Sequence, residues 1–362
     1  MLDGIRIIEI EGLGPGPFAA MLLADLGADV IVVHRKGGTG RVTATEAPVL
    51  DRGKRSIELD LKDPEDKATL LALVRGADAL IEGFRPGVME RLGLGPDICL
   101  AENPRLVFGR MTGWGQDSAL SHAAGHDFNY LSMSGAAWYT GLDGDAPFPP
   151  PTLVGDIGGG SLYLVVGLLS GLLNARATGH GTVVDAAIYD GSAHMMNLLM
   201  TLRQRGGLPR DRAGSALGGP YWSRCYRTSD GGYMSVQCLE PQFYATFVDL
   251  LGLADDPDFR TQQGPDRWPE LAARLDAIFA SKTRDDWASL FLGTDACVAP
   301  VLDPVEAMQH PMNHSRATWR EIDGALQAAP APRFSTRPDW TPRPSPKRGA
   351  DTDAILAELK RG

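Results

Sequence analysis

The chain reads as an α/β protein built on a parallel sheet, with a smaller α+β domain beyond it. Two observations predict this. Over roughly the first half, short β-branched runs alternate with helical segments, a pattern that requires crossover connections and hence parallel strands. From Tyr226 the alternation stops: one strand-like run, GGYMSVQCL, is followed by three helical segments. The chain therefore divides into a large domain over 1–190 completed by 325–362, a linker over 191–225, and a small domain over 226–324.

The elements follow in order. IRIIEI is a strand, followed by the glycine-rich EGLGPGP and a helix over PFAAMLLADLGA that stops at glycine. DVIVVHR and SIELDL are the next strands. DPEDKATLLALVRGA opens with an N-cap residue and a proline in the first turn, which marks a helix start. DALIEGF is strand-like, RPGVMERLGLGPDICLAENP mostly helical, and RLVFGRMTG another strand. A helix from about Gly159 to Ala177 leads into the strand GTVVDAAI. In the small domain the helices are EPQFYATFVDLLG, RWPELAARLDAIFAS and TRDDWASLFLG. The proline- and arginine-rich tail from Ala328 to Lys347 is an extended strap, and DAILAELK a terminal helix.

Composition narrows the function. Hydrophobic residues at 43% and charged residues at 22% argue against disorder. A net charge of −10 disfavours a nucleic-acid partner, whose footprint is basic. Cys99, Cys225, Cys238 and Cys297 are far apart, so neither a zinc site nor a redox dithiol is signalled. The apolar run from Ser161, SLYLVVGLLSGLL, is too short to span a bilayer and predicts a buried core helix, so no membrane partner is expected. MLDGIRIIEIEG lacks the order of a signal peptide and KRG is not a peroxisomal tripeptide, so a cytoplasmic location is expected.

Parallel sheets bind ligands outside the carboxyl ends of their strands. GLGPGP stands where a dinucleotide loop would, but Pro17 holds the third glycine position, and His34 and Arg35 replace the acid that would hold a ribose. It is either a tight turn or a loop for a different nucleotide. Between Arg35 and Arg55, six basic residues (Arg35, Lys36, Arg41, Arg52, Lys54, Arg55) face two acids, Glu46 and Asp51, which suggests a phosphate site. Arg85 and Arg91 in GFRPGVMERLG could turn to the same crevice. AGHDFNY sets His126 beside Asp127, and LVGDIGGGS sets Asp156 among glycines. The i, i+4 histidine pairs in HAAGH and HPMNH lack a third ligand, so no metal is expected. No GxSxG elbow is present, which leaves a serine hydrolase unsupported.

Several of these stretches together resemble one family. LDGIRIIEIEGLGPGPFAAMLLADLGADV, IEGFRPGVMERLGLGP, RMTGWGQ, AGHDFNYLSMSG, LVGDIGGGS, EPQFY and TDACVAPVL are similar to the family III CoA-transferase and racemase superfamily. GHDFNY with EPQFY and TDACVAPVL points to its α-methylacyl-CoA racemases. The resemblance implies a Rossmann-like large domain, a small domain and an interlocked homodimer, with the active site between the large domain of one chain and the small domain of the other. It implies catalytic roles for His126, Asp156 and Glu240, and coenzyme A contacts at Arg35, Gly83, Arg85, Arg91 and the Gly125–Tyr130 loop, including Asp127. No separate cofactor is implied, because coenzyme A is part of the substrate. The chain departs from close racemases near Gly214 to Ser223, where they carry a longer segment that shapes the acyl site.

Racemising a carbon beside a thioester means removing one proton and returning another to the opposite face. Two acid–base groups are the simplest solution, one a base and the other protonated. Histidine suits the first role. Asp156 would need a raised pKa for the second, which burial can supply. Glu240 would orient His126, and backbone N–H groups at glycine-rich turns would hold the enolate oxygen. Asp127 would be a helix N-cap or a hydrogen-bond partner for its loop. The resemblance also admits a CoA-transferase with Asp156 as the nucleophile, and the residues alone admit a non-catalytic acyl-CoA binder.

Overall fold

The computed structural model describes residues 1–38, 48–141, 144–210, 212–322, 324–337 and 340–361, with the backbone alone at Ala213. It divides into two compact units. One comprises Met1–Ala137, Pro149–Met195 and Met312–Gly362, the other Trp138–Phe148 and Met196–Pro311.

In the first unit the chain runs β1 (Arg6–Ile10), α1 (Pro15–Asp25), β2 (Asp29–Arg35), β3 (Arg55–Leu59), α2 (Pro64–Arg75), β4 (Ala79–Glu82), α3 (Val88–Leu92), α4 (Pro96–Glu102), β5 (Val107–Thr112) and α5 (Asp127–Ser134). A π-helical stretch, Leu153–Ser161, flows into α6 (Leu162–Thr178), followed by β6 (Thr182–Ala187) and α7 (Ile188–Met195). The six strands form one parallel sheet in the order β3-β2-β1-β4-β5-β6. Side chains alternate across it as the pleat demands. Ile7, Val30, Ile81 and Val107 face α1 and α6; Ile8, Ile31, Leu80 and Phe108 face α2, α4 and the C-terminal helix. Each fully buried aliphatic contributes roughly 1.5–3 kcal/mol. The strand order reverses at the β1–β4 boundary, so a crevice opens at the carboxyl ends between them.

α2 begins as the sequence predicts: Asp63 caps it, accepting from Glu65 N–H at 2.9 Å and Asp66 N–H at 3.0 Å. The apolar run from Ser161 corrects the length expectation. With the π-helical stretch it forms one helix, Leu153–Thr178, of 26 residues, long and apolar enough to cross a membrane by length and composition. Its seating is that of a helix laid on a sheet, since Leu164, Leu168 and Leu172 are buried and Cβ atoms at Gly167 and Gly171 would strike Val184 and Val107. Val166 and Leu173 stay exposed on the other face.

The basic segment after β2 is also corrected. Lys54 has no exposed side chain and lies 2.6 Å from Glu9 and 3.2 Å from Asp51. Arg52 grips Asp25 through Nη2 at 2.6 Å and Nε at 3.1 Å. Arg55 holds Asp29 at 2.7 Å. These three are tied to carboxylates within the fold, because a cation buried at a sheet edge must be paired. Of this segment's described cations only Arg35 and Lys36 stay exposed; Arg41 and Glu46 lie outside the described residues.

In the second unit α8 (Asn197–Gln204) precedes an antiparallel sheet of β7 (Ser223–Arg227), β8 (Tyr233–Gln237) and β9 (Val298–Pro300). α9 (Pro241–Leu250), α10 (Trp268–Phe279) and α11 (Arg284–Phe291) surround an aromatic core in which Tyr226 stacks on Phe279 at 4.9 Å, and α12 (Pro304–Gln309) follows β9. The chain then passes through α13 (Pro311–Arg316), the hairpin β10 (Trp319–Ile322) and β11 (Ala325–Ala328), and α14 (Thr352–Leu359). Pro338 and Asp339 of the strap lie outside the described residues.

Candidate active site

The crevice at the strand-order reversal is a cavity of about 440 Å³. Its floor is the loop after β1, Gly12–Pro17, and the loop after β4, Gly83–Pro86; its wall is Gly125–Tyr130 with Asp156. A second cavity of about 680 Å³ shares Ile10, Gly12, Leu13 and Phe84 with it and is lined by Arg35, Lys36, Lys62 and Arg348. Each lies in the range of ~300–1,000 Å³ usual for small-molecule sites. The second cavity thus carries cations and the acids Glu11 and Asp60 on apolar walls, with Arg348 held by Glu11 at 3.1 Å, and the first carries ionisable groups of both kinds.

Local sequence places these groups. α1 starts after Gly14, whose φ of +63° favours glycine. A Cβ there would lie 3.4 Å from Asp156 Oδ2, so the loop and the carboxylate are neighbours. Pro15 and Pro17 carry no N–H and Phe18 N–H is taken by Gly14 O at 3.1 Å, so Gly16 offers the free amide of this first turn. His126 is the N-cap of α5, its N–H donating to Asn129 Oδ1 at 3.0 Å. The N-terminal ends of α1 and α5 therefore meet one cavity, a favourable place for developing negative charge. Asp127 is the first residue of α5 rather than its cap, and its Oδ1 accepts Asp156 N–H at 2.7 Å. Asp156 itself sits in the π-helical stretch, a rare geometry concentrated at functional sites. That stretch can pack on α7 because Gly191 has no Cβ: one there would stand 1.9 Å from Gly159 O.

Burial, first, and the adjacent Asp127 charge, second, push the Asp156 carboxyl up to about 6, while His126 pulls it back. Tyr130 is also raised, by burial and by Asp156, against Arg85. Tyr130 donates to Gly125 O and meets Trp114 edge-on at 4.7 Å, which fixes the loop carrying His126. Gly113 makes room for that ring, since a Cβ there would overlap it at 2.0 Å.

Of the residues singled out from sequence, His126, Asp156, Gly83, Arg85, Gly125, Asp127 and Tyr130 line the first cavity and Arg35 the second. Arg91 lines neither; it is exposed near Gly87. Glu240 belongs to the second unit, exposed at the N-cap of α9. It lies near Cys297, whose thiol is raised by burial, then by Glu240. The sequence reading missed Lys62, Arg348 and Phe84. Lys62 was findable, because it follows the end of β3; Arg348 arrives from the far end of the chain with no local signal. Among the described residues no group of three His, Cys, Asp or Glu side chains could hold a metal ion.

The CoA-transferase family III model matches residues 2–352. α-Methylacyl-CoA racemase of Mus musculus is 39% identical over 100% of this chain and 93% of its own. That of Homo sapiens is 40% identical over 99% of this chain and 93% of its own. A solved CAIB/BAIF family protein from Brucella suis superposes with a TM-score of 0.83 at 28% identity, covering 99% of both chains.

Proposed function

The chain belongs to CoA-transferase family III, and on that premise we propose that it is an isomerase that inverts the α-carbon of 2-methyl-branched acyl-CoA thioesters. The relatives named α-methylacyl-CoA racemase, similar over the whole chain, support the reaction. The observation that carries it is the Asp156 carboxyl, raised to about 6 in the cavity that His126 also lines. A carboxyl raised into this range can both take and give a proton near neutrality, as the isomerase reaction requires.

In this reading the nucleotide lies in the second cavity, beside Arg35 and Lys62, and the thioester reaches the Gly12–Pro17 loop. One of His126 and Asp156 removes the α-proton. The C–H electron pair moves into the thioester carbonyl, making an enolate. Helix N-termini and the Gly16 N–H stabilise its oxygen. The other group then protonates the opposite face, and the carbonyl re-forms. No other reactant is consumed, and no separate cofactor is needed, since coenzyme A is carried on the substrate. The proposal includes a homodimer in which a Glu240 carboxylate orients His126, a cytoplasmic location and a place in fatty-acid metabolism.

The test is a single-enantiomer 2-methylacyl-CoA in deuterated water, followed by mass and chiral analysis. Deuterium at the α-carbon with loss of chirality supports the proposal. Transfer of CoA to an added carboxylic acid without exchange overturns it in favour of a transferase with Asp156 as nucleophile.

A further inference from the structure

The crevice lies at the carboxyl ends of the strands. On the opposite, amino-terminal side, beside Met1 and Leu26, the C-terminal strap and the β10–β11 hairpin border a separate cavity of about 230 Å³. Four arginines line it: Arg316 closing α13, Arg320 on β10, and Arg333 and Arg337 on the strap, with Phe334 and Trp340 beside them. Arg337 lies over the Trp340 ring at 5.0 Å and pairs with Asp3.

Among the described residues the other three cations have no carboxylate partner; Asp323 and Asp339 lie outside those residues. Arg320 donates to Ala317 O at 3.4 Å and Thr341 Oγ1 at 3.2 Å, both neutral. Arg333 donates to the Arg316 carbonyl. No carboxylate pairs with Arg316, Arg320 or Arg333 among the described residues. The acid that lines the cavity, Asp25, is already held by Arg52 at 2.6 Å and 3.1 Å. Three guanidiniums thus face one small cavity in a chain of net charge −10. Like charges brought together repel unless an anion stands between them. Each guanidinium offers five donors in a fixed fork, and most are unused here.

We propose that this cavity binds a compact phosphate-bearing anion, apart from the acyl-CoA crevice. A planar carboxylate is satisfied by one fork, whereas the tetrahedral oxygens of a phosphate accept forks from several directions. The volume, below the ~300–1,000 Å³ of drug-sized pockets, fits a phosphate group or diphosphate rather than a whole nucleotide. This inference stands whether or not the racemase reading does.

The experiment is calorimetric titration of the full chain with pyrophosphate while saturating coenzyme A fills the crevice. One equivalent is expected to bind, and Arg316→Ala or Arg320→Ala is expected to weaken it about ten-fold or more, as loss of a charge-assisted hydrogen bond does. Arg316 is exposed, so R316A keeps the fold; Arg35→Ala, in the crevice, is expected to leave pyrophosphate binding intact. Absence of binding with coenzyme A present overturns the proposal. So does binding that survives both arginine variants, or citrate binding as tightly as pyrophosphate, which would make the cavity a carboxylate site.

Discussion

Lys54 and Asp156 lie on either side of the same glycine loop, and both are ionisable groups withdrawn from solvent. Lys54 is fully buried, 2.6 Å from Glu9, and its Nζ donates to Pro17 O at 3.3 Å. Its charge is consumed in holding β1 and the start of α1 together. Asp156 is only half-buried, and its nearest acidic neighbour is Asp127, a like charge. The first cluster sets Lys54 between its two carboxylates, although burial still holds the Glu9 carboxyl above its usual value, and the second sets two carboxylates against each other. That difference separates charge that builds the floor of a site from charge that works in it, because frustrated groups keep a proton in play near neutral pH.

The largest effects follow from reversing each case. Asp156→Asn should lower kcat by about 10²–10⁴-fold, as loss of a general acid–base group does, with coenzyme A affinity retained. The same variant should melt higher than the wild type above pH about 6. The folded carboxyl titrates at about 6 against 3.8 for the free group, so the native state holds the ionised form at a cost above that pH. The gain should vanish below pH about 4, where both states are protonated. A variant that lost activity and also melted lower at pH 8 would break the comparison.

Lys54→Met should do the reverse. It strands Glu9 and Asp51 in a dry site, which costs roughly 3–5 kcal/mol when a buried pair is broken. Denaturant unfolding should report that loss, while kcat of the folded fraction is kept. Glu82→Gln tests an intermediate case. Glu82 is fully buried, bonds Arg110 Nε at 2.9 Å and accepts Phe84 N–H at 2.7 Å, so it holds the loop shared by both cavities. Weakening a charged hydrogen bond there, worth about 1.5–3 kcal/mol, should raise KM for acyl-CoA about ten-fold with kcat little changed. A fall in kcat with KM unchanged would place Glu82 with the reacting groups instead.

What the sequence disclosed follows the same division. The central strands β2 and β4 were legible because they are buried on both faces and read as nearly continuous apolar runs. β7, SRCYR, was missed because its apolar signal is one tyrosine and its partner strand lies beyond a turn. His126 and Asp156 were legible as motifs. The fate of Lys54, Arg52 and Arg55 was not, because whether a cation is free depends on carboxylates such as Glu9, Asp25 and Asp29, at least 26 positions away in sequence. Charge counts along the chain record how many cations there are, and only the fold records which are spent.

The smallest effect is the most discriminating. If His126 and Asp156 share one proton, the enzyme is active in both directions only while the pair holds that single proton, whichever residue bears it. kcat/KM should then be bell-shaped in pH, with the same macroscopic limbs for both enantiomers. A nucleophilic Asp156 needs only its carboxylate, so a transferase would show an ascending limb and a plateau. Asp127→Asn separates the two further. Asparagine keeps an oxygen to accept Asp156 N–H, now 2.7 Å from Asp127 Oδ1, but removes the second-largest cause of the raised pKa. The Asp156 carboxyl should fall toward its ordinary value, and the acidic limb should move to lower pH in both enantiomeric directions together. An acidic limb that moved for one enantiomer alone would mean the two groups do not titrate as a pair, and the frustration read into this half of the crevice would not be what drives proton transfer.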